Sequence, residues 1–160
     1  MPRHLEIERK FLVKSLTAPG KRWVSSQIQQ GYFPLASKNL EIRLRRKDSQ
    51  HFITVKGGRG TSRLEEEIQI PPSTFRALWP LTRPARISKR RYKIPFAGHT
   101  IEIDVYNGPH RGLVTADVEF RSLRQSRSFQ PPDWLGREIT GNRQFANETL
   151  ARRQRLPRQF

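Results

Sequence analysis

Charged and apolar residues alternate along three segments of this chain, residues 5–11, 40–45 and 101–105. Successive side chains of a β-strand point to opposite faces, so the alternation places charged side chains on one face and apolar side chains on the other. A period of two residues is typical of strands that bury one face. The three segments are therefore predicted to be strands of a sheet that is apolar on one side and charged on the other.

Other segments of similar length are rich in β-branched or aromatic residues and are bounded by turn-forming residues. They predict strands at residues 51–56, 63–70, 87–94 and 113–120, with a weaker candidate at 28–33. The total is about eight strands at short spacing, mostly antiparallel. Short helices are predicted at residues 20–27, 73–79 and 122–127, and a last one from about residue 142. Residues 1–150 are expected to form a single domain, followed by a basic tail at residues 151–160.

The charges on the predicted strands recur at positions i and i+2, and they are sorted by sign. The acidic pairs are Glu6 with Glu8, Glu65 with Glu67, Glu102 with Asp104, and Asp117 with Glu119. The basic pairs are Arg43 with Arg45 and Lys89 with Arg91, and Lys10, Lys56 and Arg63 lie on compatible faces. Each pair therefore projects from one side of its strand.

Two interpretations of these pairs remain open on spacing alone. Like charges at i and i+2 lie roughly 7 Å apart. They repel by about 2 kcal/mol at an effective dielectric constant of about 20, and by less than about 1 kcal/mol in water. The solvent face of an open sheet would tolerate them. The strands could instead close into a barrel with the charges inside. A divalent metal would then have to neutralise the carboxylates, and phosphate would have to neutralise the basic groups.

The composition excludes several classes of function and favours others. With no Cys, the chain has no disulfide, no thiolate zinc site and no cysteine nucleophile. Carboxylate ligands with few His favour Mg²⁺ or Mn²⁺ over zinc. The 31 Lys and Arg exceed the 14 Asp and Glu by 17, which predicts a polyanionic partner. The sequence has no apolar run long enough for a transmembrane helix, and charged residues precede any apolar run at its start, so a cytoplasmic location is expected.

Glu6, Glu8 and Lys10 resemble the N-terminal Glu-x-Glu-x-Lys signature of the CYTH superfamily, the triphosphate tunnel metalloenzymes. One short signature would be weak evidence, because charged strings arise by chance. Eight further matches follow in the order that the family uses, at residues 30–32, 42–45, 54–56, 63–68, 89–92, 101–105, 118–120 and 138–140. The resemblance covers the chain from Leu5 to about Leu150, and it is closest to the short, single-domain bacterial members, which act as inorganic triphosphatases.

The resemblance implies a mainly β (α+β) fold. A closed eight-stranded antiparallel β-barrel would form a tunnel with a charged lumen, flanked by a few short helices and a C-terminal helix. Apolar positions such as Ile42, Leu44, Ile101 and Ile103 would face outward under helices. An ordinary small barrel has the opposite arrangement, because its interior is filled by core side chains.

The resemblance also implies roles for individual residues. The metal ligands would be Glu6, Glu8, Glu102, Asp104, Asp117 and Glu119. The phosphate-binding residues would be Lys10, Arg43, Arg45, Lys56, Arg63, Lys89 and Arg91. Lys89, Glu8 and Glu119 are expected to be catalytic, and Tyr32 and Glu138 to support the site. Glu65 and Glu67 would either bind metal or hold neighbouring basic groups. Asp117 stands where close relatives often have Glu, so we rank it below Glu119 as a ligand.

These residue types suit metal-dependent phosphoryl transfer, which depends on positioning and charge neutralisation. The expected reaction is in-line attack of a metal-activated water on inorganic tripolyphosphate, which releases orthophosphate and pyrophosphate. Within the same fold, the resemblance also permits ATP, thiamine triphosphate or RNA 5′-triphosphate as substrates, and adenylate cyclase activity. A non-catalytic module that binds polyphosphate or RNA is the alternative from another class, and the acidic pairs weigh against it. The positive charge outside the predicted site would steer polyanions to the tunnel or serve a separate surface contact.

Overall fold

The computed structural model describes residues 7–15, 23–35, 37, 39–59 and 62–158, apart from the side chains of residues 58, 59, 62 and 63. The strands in this part of the chain are β1 (Ile7–Val13), β2 (Val24–Tyr32), β3 (Leu40–Lys47), β4 (Gln50–Arg59), β5 (Ser62–Gln69), β6 (Arg86–Phe96), β7 (His99–Tyr106), β8 (Val114–Phe120) and β9 (Leu135–Glu138). The α-helices are α1 (Pro72–Leu78), α2 (Leu123–Ser128) and α3 (Asn147–Arg153). Within these ranges, every helix is too short to span a bilayer.

The strands form one antiparallel sheet in the order β5-β4-β3-β2-β6-β7-β8-β1-β9. The predicted mainly β fold with a few short helices is confirmed. The predicted closed, eight-stranded barrel is wrong in two respects: the described part of the sheet has nine strands, and its end strands β5 and β9 do not pair with each other. The ninth strand has four residues and lacks the alternation of the others, and it forms by pairing with the outer edge of β1.

The helices agree less well with the sequence patterns. The helix predicted at residues 20–27 is wrong in its described part, because β2 begins at Val24. β2 pairs with β3 on one edge and with β6 on the other, and this pairing outweighs any local helix preference. The helices predicted at residues 73–79 and 122–127 are confirmed as α1 and α2. The last helix, α3, begins at Asn147 after a short 3₁₀ turn, Arg143–Phe145.

The apolar face of the sheet carries one core. Ile101 and Ile103 of β7 are buried there with Val118 of β8, as the outward-facing positions predict. Phe11 and Phe129 complete this core from β1 and from the residue that follows α2. Burial of such side chains stabilises the folded state by about 1.5–3 kcal/mol each, so this face supplies the support on which the charged face depends.

A second core lies at one end of the charged face, under α3. Leu150 and Ala151 of α3 pack there with Tyr32 and Tyr106. His110, which lies between β7 and β8, anchors the helix because its Nε2 lies 2.8 Å from the carbonyl oxygen of Leu150. The C-terminal helix therefore covers one end of the face that carries the charged residues.

Candidate active site

The sheet brings the predicted charged residues onto one face, which we call the charged face. Directly opposed residues of neighbouring antiparallel strands lie on the same face. The register opposes Glu8 to Glu119, Lys10 to Asp117, Glu102 to Asp117, Arg91 to Asp104, and Lys56 to Glu65. Strand alternation places Arg43, Arg45, Glu67 and Lys89 on this face as well. The predicted ligand Glu6 and the side chain of Arg63 lie outside the described residues.

The charged face is open at one end and covered at the other. Glu8 and Glu119, at the open end, are exposed. Lys89 and Asp104 are 1% and 0% exposed, and Lys89 lies beside Asn147 of α3. The acidic residues at the open end are therefore accessible to ions, whereas the lysine at the covered end is desolvated.

Asp104 is the centre of a buried cluster of ion pairs. Its Oδ2 accepts hydrogen bonds from Lys89 Nζ at 2.6 Å and from Arg91 Nη2 at 2.8 Å, and its Oδ1 accepts one from Arg91 Nε at 2.7 Å. Arg91 also donates to Glu102 Oε2 at 2.5 Å and lies 3.7 Å from Asp117 Oδ2. One carboxylate thus binds two cations, and Arg91 links three carboxylates on β7 and β8.

Burial and these contacts change the pKa values of Lys89 and Asp104. Burial lowers the pKa of Lys89 to about 8, and the attraction of Asp104 opposes this effect only in part. Burial alone would raise the pKa of Asp104, but Lys89 and Arg91 outweigh it and hold that pKa well below its usual range. Asp104 is therefore ionised at neutral pH, whereas Lys89 can release its proton under mildly basic conditions.

Glu65 and Glu67 of β5 bind basic residues of the same face. Glu67 Oε1 accepts from Arg45 Nη2 at 2.5 Å, and Glu65 Oε2 lies 2.9 Å from Lys56 Nζ. Glu65 Oε1 also lies 3.8 Å from Arg43 Nη2. Of the two roles that the sequence leaves open for these acids, their contacts correspond to holding the basic groups in place.

Four buried polar atoms of the charged face have no hydrogen-bond partner among the described residues: Arg43 Nε, Arg45 Nε, Thr115 Oγ1 and Asp117 Oδ1. Lys10 Nζ lies 3.2 Å from Asp117 Oδ1, an ion pair without hydrogen-bond geometry. Buried polar groups normally find partners, because an unpaired one costs about 1–3 kcal/mol. A ligand that brings both anionic oxygens and a cation to the charged face would supply partners to the two cationic donors and to the carboxylate oxygen.

The carboxylates differ in their capacity to bind that cation. Asp104 and Glu102 are each in contact with two cationic side chains at 3.1 Å or less, which would compete with a metal ion, whereas the two cationic groups beside Asp117 lie 3.2 and 3.7 Å away. Glu8, Glu119 and Asp117 offer hard oxygen donors from the adjacent strands β1 and β8. No group of three or more His, Asp and Glu in the described ranges could hold a metal ion by itself. The donor chemistry therefore fits Mg²⁺ or Mn²⁺ that completes its coordination with water or ligand oxygens, as Mg²⁺ commonly does.

Tyr32, predicted to support the site, is buried at the covered end of the charged face. Its hydroxyl oxygen accepts a hydrogen bond from Gln30 Nε2 at 3.0 Å, and burial raises the pKa of Tyr32 to about 12. The intervening Gly31 has a packing explanation, because a Cβ at this position would overlap the side chain of Thr82. Tyr32 therefore stays neutral and acts through hydrogen bonding or packing.

Glu138, the other predicted supporting residue, binds Arg9 rather than the basic residues of the charged face. Arg9 donates to its two carboxylate oxygens at 2.9 and 2.7 Å. Thr140 Oγ1 donates to one of these oxygens at 2.7 Å. Because Arg9 alternates with Glu8 and Lys10 along β1, this pair lies toward the opposite side of the strand. Its contacts fix β9 against β1.

The sequence patterns do not predict every residue of the charged face. Glu41 lies opposite Lys56 on β3 and within the alternating segment 40–45, although it is not among the predicted site residues. No sequence pattern identifies Asn147 as a residue of the charged face. Its Oδ1 accepts a hydrogen bond from Tyr106 at 2.7 Å and lies 3.4 Å from Lys89 Nζ, although 58 positions separate Asn147 from Lys89.

Known proteins match this chain over nearly its whole length. The family model described as CYTH domain matches residues 4–153. An inorganic triphosphatase of Nitrosomonas europaea is 40% identical over 148 residues, which cover 91% of this chain and 96% of the relative. An inorganic triphosphatase of Acetivibrio thermocellus is 37% identical over 154 residues, which cover 92% and 93%. A crystal structure of an inorganic triphosphatase is 37% identical, with a TM-score of 0.73 and coverage of 91% of this chain and 93% of that chain.

Proposed function

This chain belongs to the CYTH domain family, and we propose that it is an inorganic triphosphatase that hydrolyses tripolyphosphate to pyrophosphate and orthophosphate. The names of its relatives support this activity. The structural observation that carries the proposal is that Arg43 Nε, Arg45 Nε and Asp117 Oδ1 are buried and have no hydrogen-bond partner within the described part of the chain. A tripolyphosphate with a divalent cation would supply acceptors to the two guanidinium groups and a positive charge to the carboxylate.

Arg43, Arg45 and Lys56 bind the phosphate oxygens in this proposal. Arg binds phosphate through a planar fork of donors, whereas Lys acts as a point charge. Glu65 and Glu67 hold these side chains before substrate arrives, so less side-chain freedom is lost on binding. Lys10 and Arg63 remain proposed phosphate ligands on the same grounds of charge. Arg91, whose guanidinium contacts three carboxylates, mainly keeps those carboxylates together.

Glu8, Glu119 and Asp117 are the proposed holders of Mg²⁺ or Mn²⁺, together with phosphate oxygens and with the predicted ligand Glu6. The cation, when bound, neutralises phosphate charge and lowers the pKa of water in its coordination shell. Glu8 and Glu119 face each other across β1 and β8, so both carboxylates lie on the same part of the charged face. Their exposure gives the metal-bound substrate access from the open end.

Lys89 is the proposed general base. A base works best when its pKa lies near the working pH, and burial brings the pKa of Lys89 to about 8. The neutral amine accepts a proton from the water that attacks the terminal phosphorus. Asp104, which stays ionised, then stabilises the ammonium group that forms at 2.6 Å from its Oδ2.

A substrate panel tests the proposed function directly. Phosphate release should be fastest from tripolyphosphate, compared with ATP and thiamine triphosphate in the presence of Mg²⁺ or Mn²⁺, because the charged face offers many phosphate ligands. A cyclic AMP assay should run alongside. Formation of cyclic AMP from ATP while tripolyphosphate stays intact would refute the hydrolase assignment, and binding of polyphosphate with no turnover of any substrate would favour a binding module.

The variant Glu8→Gln tests the metal-binding role of the open end. The amide keeps the size of the side chain but removes its negative charge, so kcat should fall on the order of 10²-fold because several kcal/mol of charge stabilisation is lost. Tripolyphosphate binding should be largely kept, because the basic residues are unchanged. Both quantities follow from phosphate-release kinetics and titration calorimetry.

Glu66→Gln is the matched control for this variant. Glu66 lies between Glu65 and Glu67 on β5 but points to the opposite face, where it is exposed. Its replacement should change kcat by less than about two-fold, because an exposed charge on the far face of the sheet acts only through solvent. Equal turnover by Glu8→Gln and Glu66→Gln would show that Glu8 does not hold the metal.

A further inference from the structure

The Lys89 side chain meets groups from three parts of the fold. Its Nζ lies 2.6 Å from Asp104 Oδ2 on β7 and 3.4 Å from Asn147 Oδ1 on α3. The ring of Tyr106 lies beside it, with 5.4 Å between Nζ and the ring centroid. Lys89 and Tyr106 are each 1% exposed, whereas Asn147 is half-buried.

The amide of Asn147 has a defined orientation. In its ammonium form Lys89 offers only donors, so the atom of Asn147 that faces it is the amide oxygen. That oxygen also accepts a hydrogen bond from the Tyr106 hydroxyl at 2.7 Å. Tyr106 stays protonated, because burial raises its pKa well above the usual value. The phenol therefore holds the Asn147 carbonyl toward Lys89 across the whole working pH range.

The Asn147 side chain is not needed to begin or anchor α3. The N-cap residue of this helix is Ala146, which makes no side-chain capping hydrogen bond. The helix is anchored by burial of Leu150, by His110, and by Arg152, whose Nη2 donates to the carbonyl oxygen of Phe33 at 3.2 Å. The contacts of Asn147 are with Lys89 and Tyr106, so its side chain can change while the helix keeps its other contacts.

We propose that Asn147 is a positioning residue that orients the Lys89 amine toward the substrate. This inference rests on the proposed function of Lys89 as the base. A neutral amine has two N–H donors and one lone pair in a tetrahedral arrangement. With one N–H directed to Asp104 and the other to Asn147, the amine cannot rotate about its last bond and the lone pair keeps one direction. Without Asn147, the amine rotates about its last bond and presents the lone pair only part of the time.

The variant Asn147→Leu tests this inference, because leucine has a similar size and no acceptor. kcat for tripolyphosphate should fall about 10-fold or more, since a misplaced catalytic group costs up to about 10²-fold. KM should stay within about two-fold, because the phosphate-binding residues are untouched. Asn147→Asp keeps an oxygen for both partners and should recover kcat to within about three-fold at its own pH optimum. Its added negative charge should move the rising limb of the pH profile to higher pH.

A control on the same helix separates positioning from a general loosening of α3. Arg152→Ala removes the contacts of Arg152 with Phe33 and Glu148 but leaves the surroundings of Lys89 intact. It should lower kcat by less than about two-fold. If Arg152→Ala and Asn147→Leu lower kcat equally, or if Asn147→Leu raises KM rather than lowering kcat, the inference is wrong.

Two further outcomes decide between this inference and the proposed function. Should Asn147→Leu fail to fold, as judged by circular dichroism, Asn147→Ala takes its place with the same expectations and without the bulk of the leucine. A wild-type chain that releases no phosphate from any triphosphate refutes the proposed function and this inference with it. Normal wild-type turnover that is unchanged in the Asn147 variants refutes only the role of Asn147.

Discussion

Replacement of Lys89 with glutamine is expected to lower kcat for tripolyphosphate by about 10²–10⁴-fold, the range that positioned acids and bases contribute. Glutamine has no basic nitrogen, so the attacking water loses its proton acceptor. Asp104 still receives two hydrogen bonds from Arg91, which should keep the buried cluster intact and the chain folded. Phosphate-release kinetics and a thermal melt measure the two effects separately.

The dependence of kcat on pH provides a second test of Lys89 as the base. Only the neutral amine of Lys89 accepts a proton, and its fraction rises with pH up to the pKa of about 8. kcat of the wild type should therefore rise about ten-fold per pH unit below that value and level off above it. Lys89→Arg keeps the positive charge but cannot release its proton at these pH values, so it should lose both activity and the rising limb.

Lys93→Gln is the control for the Lys89 variants. Lys93 lies two positions further along β6, pairs with Glu102 at 3.1 Å, and has a side chain that is 48% exposed. An exposed ion pair contributes about 1 kcal/mol or less, so kcat should change only a few-fold. Comparable losses in the Lys89 and Lys93 variants, or an unchanged rising limb in Lys89→Arg, would contradict the assignment of Lys89 as the base.

Replacement of Asp104 with asparagine is expected to have the largest effect on stability, a loss of about 3–5 kcal/mol in the free energy of unfolding. The amide removes the negative charge that contacts both Lys89 and Arg91, and it leaves the buried Lys89 without this counterion. Urea unfolding followed by circular dichroism measures the loss. A loss below about 1 kcal/mol would mean that the cluster is not held together by Asp104.

Glu138→Gln provides the comparison, because Glu138 also forms a bidentate pair with an arginine but lies closer to solvent. Its loss should cost about 1 kcal/mol or less. The pKa of Asp104 is held well below its usual range, so its contribution to stability is fully present above its unfolded pKa of about 3.9 and is lost only as the pH falls through the lower folded value.

The strands and the face that each side chain occupies could be predicted from the sequence because strand alternation is a local property. Glu8 and Glu119 come from opposite ends of the chain, yet each was predicted on the charged side of its own strand, and the register places them opposite each other. The metal-binding and phosphate-binding roles came from the resemblance to the family, and the variants above test them.

The pairing of charges depends on the tertiary structure. Nothing in the segment that contains Glu65 and Glu67 shows whether these acids bind metal or basic side chains, because the answer depends on how β5 pairs with β4. The four-residue strand β9 and the first part of β2, residues 24–27, were missed for the same reason, since both depend on edges offered by distant strands. Asn147 was missed for a related reason, because its contacts with Lys89 and Tyr106 form only when α3 packs against the sheet.

The sequence by itself determined that this chain forms an antiparallel sheet with one charged face, because a two-residue period has the same meaning wherever the strand is placed. Only the tertiary structure decided which end of that face is covered and which carboxylate holds Lys89. Burial under α3 and contact with Asp104 set the proton affinity of this lysine. Desolvation and the distances between charges depend on residues brought together by folding, and no local pattern contains them.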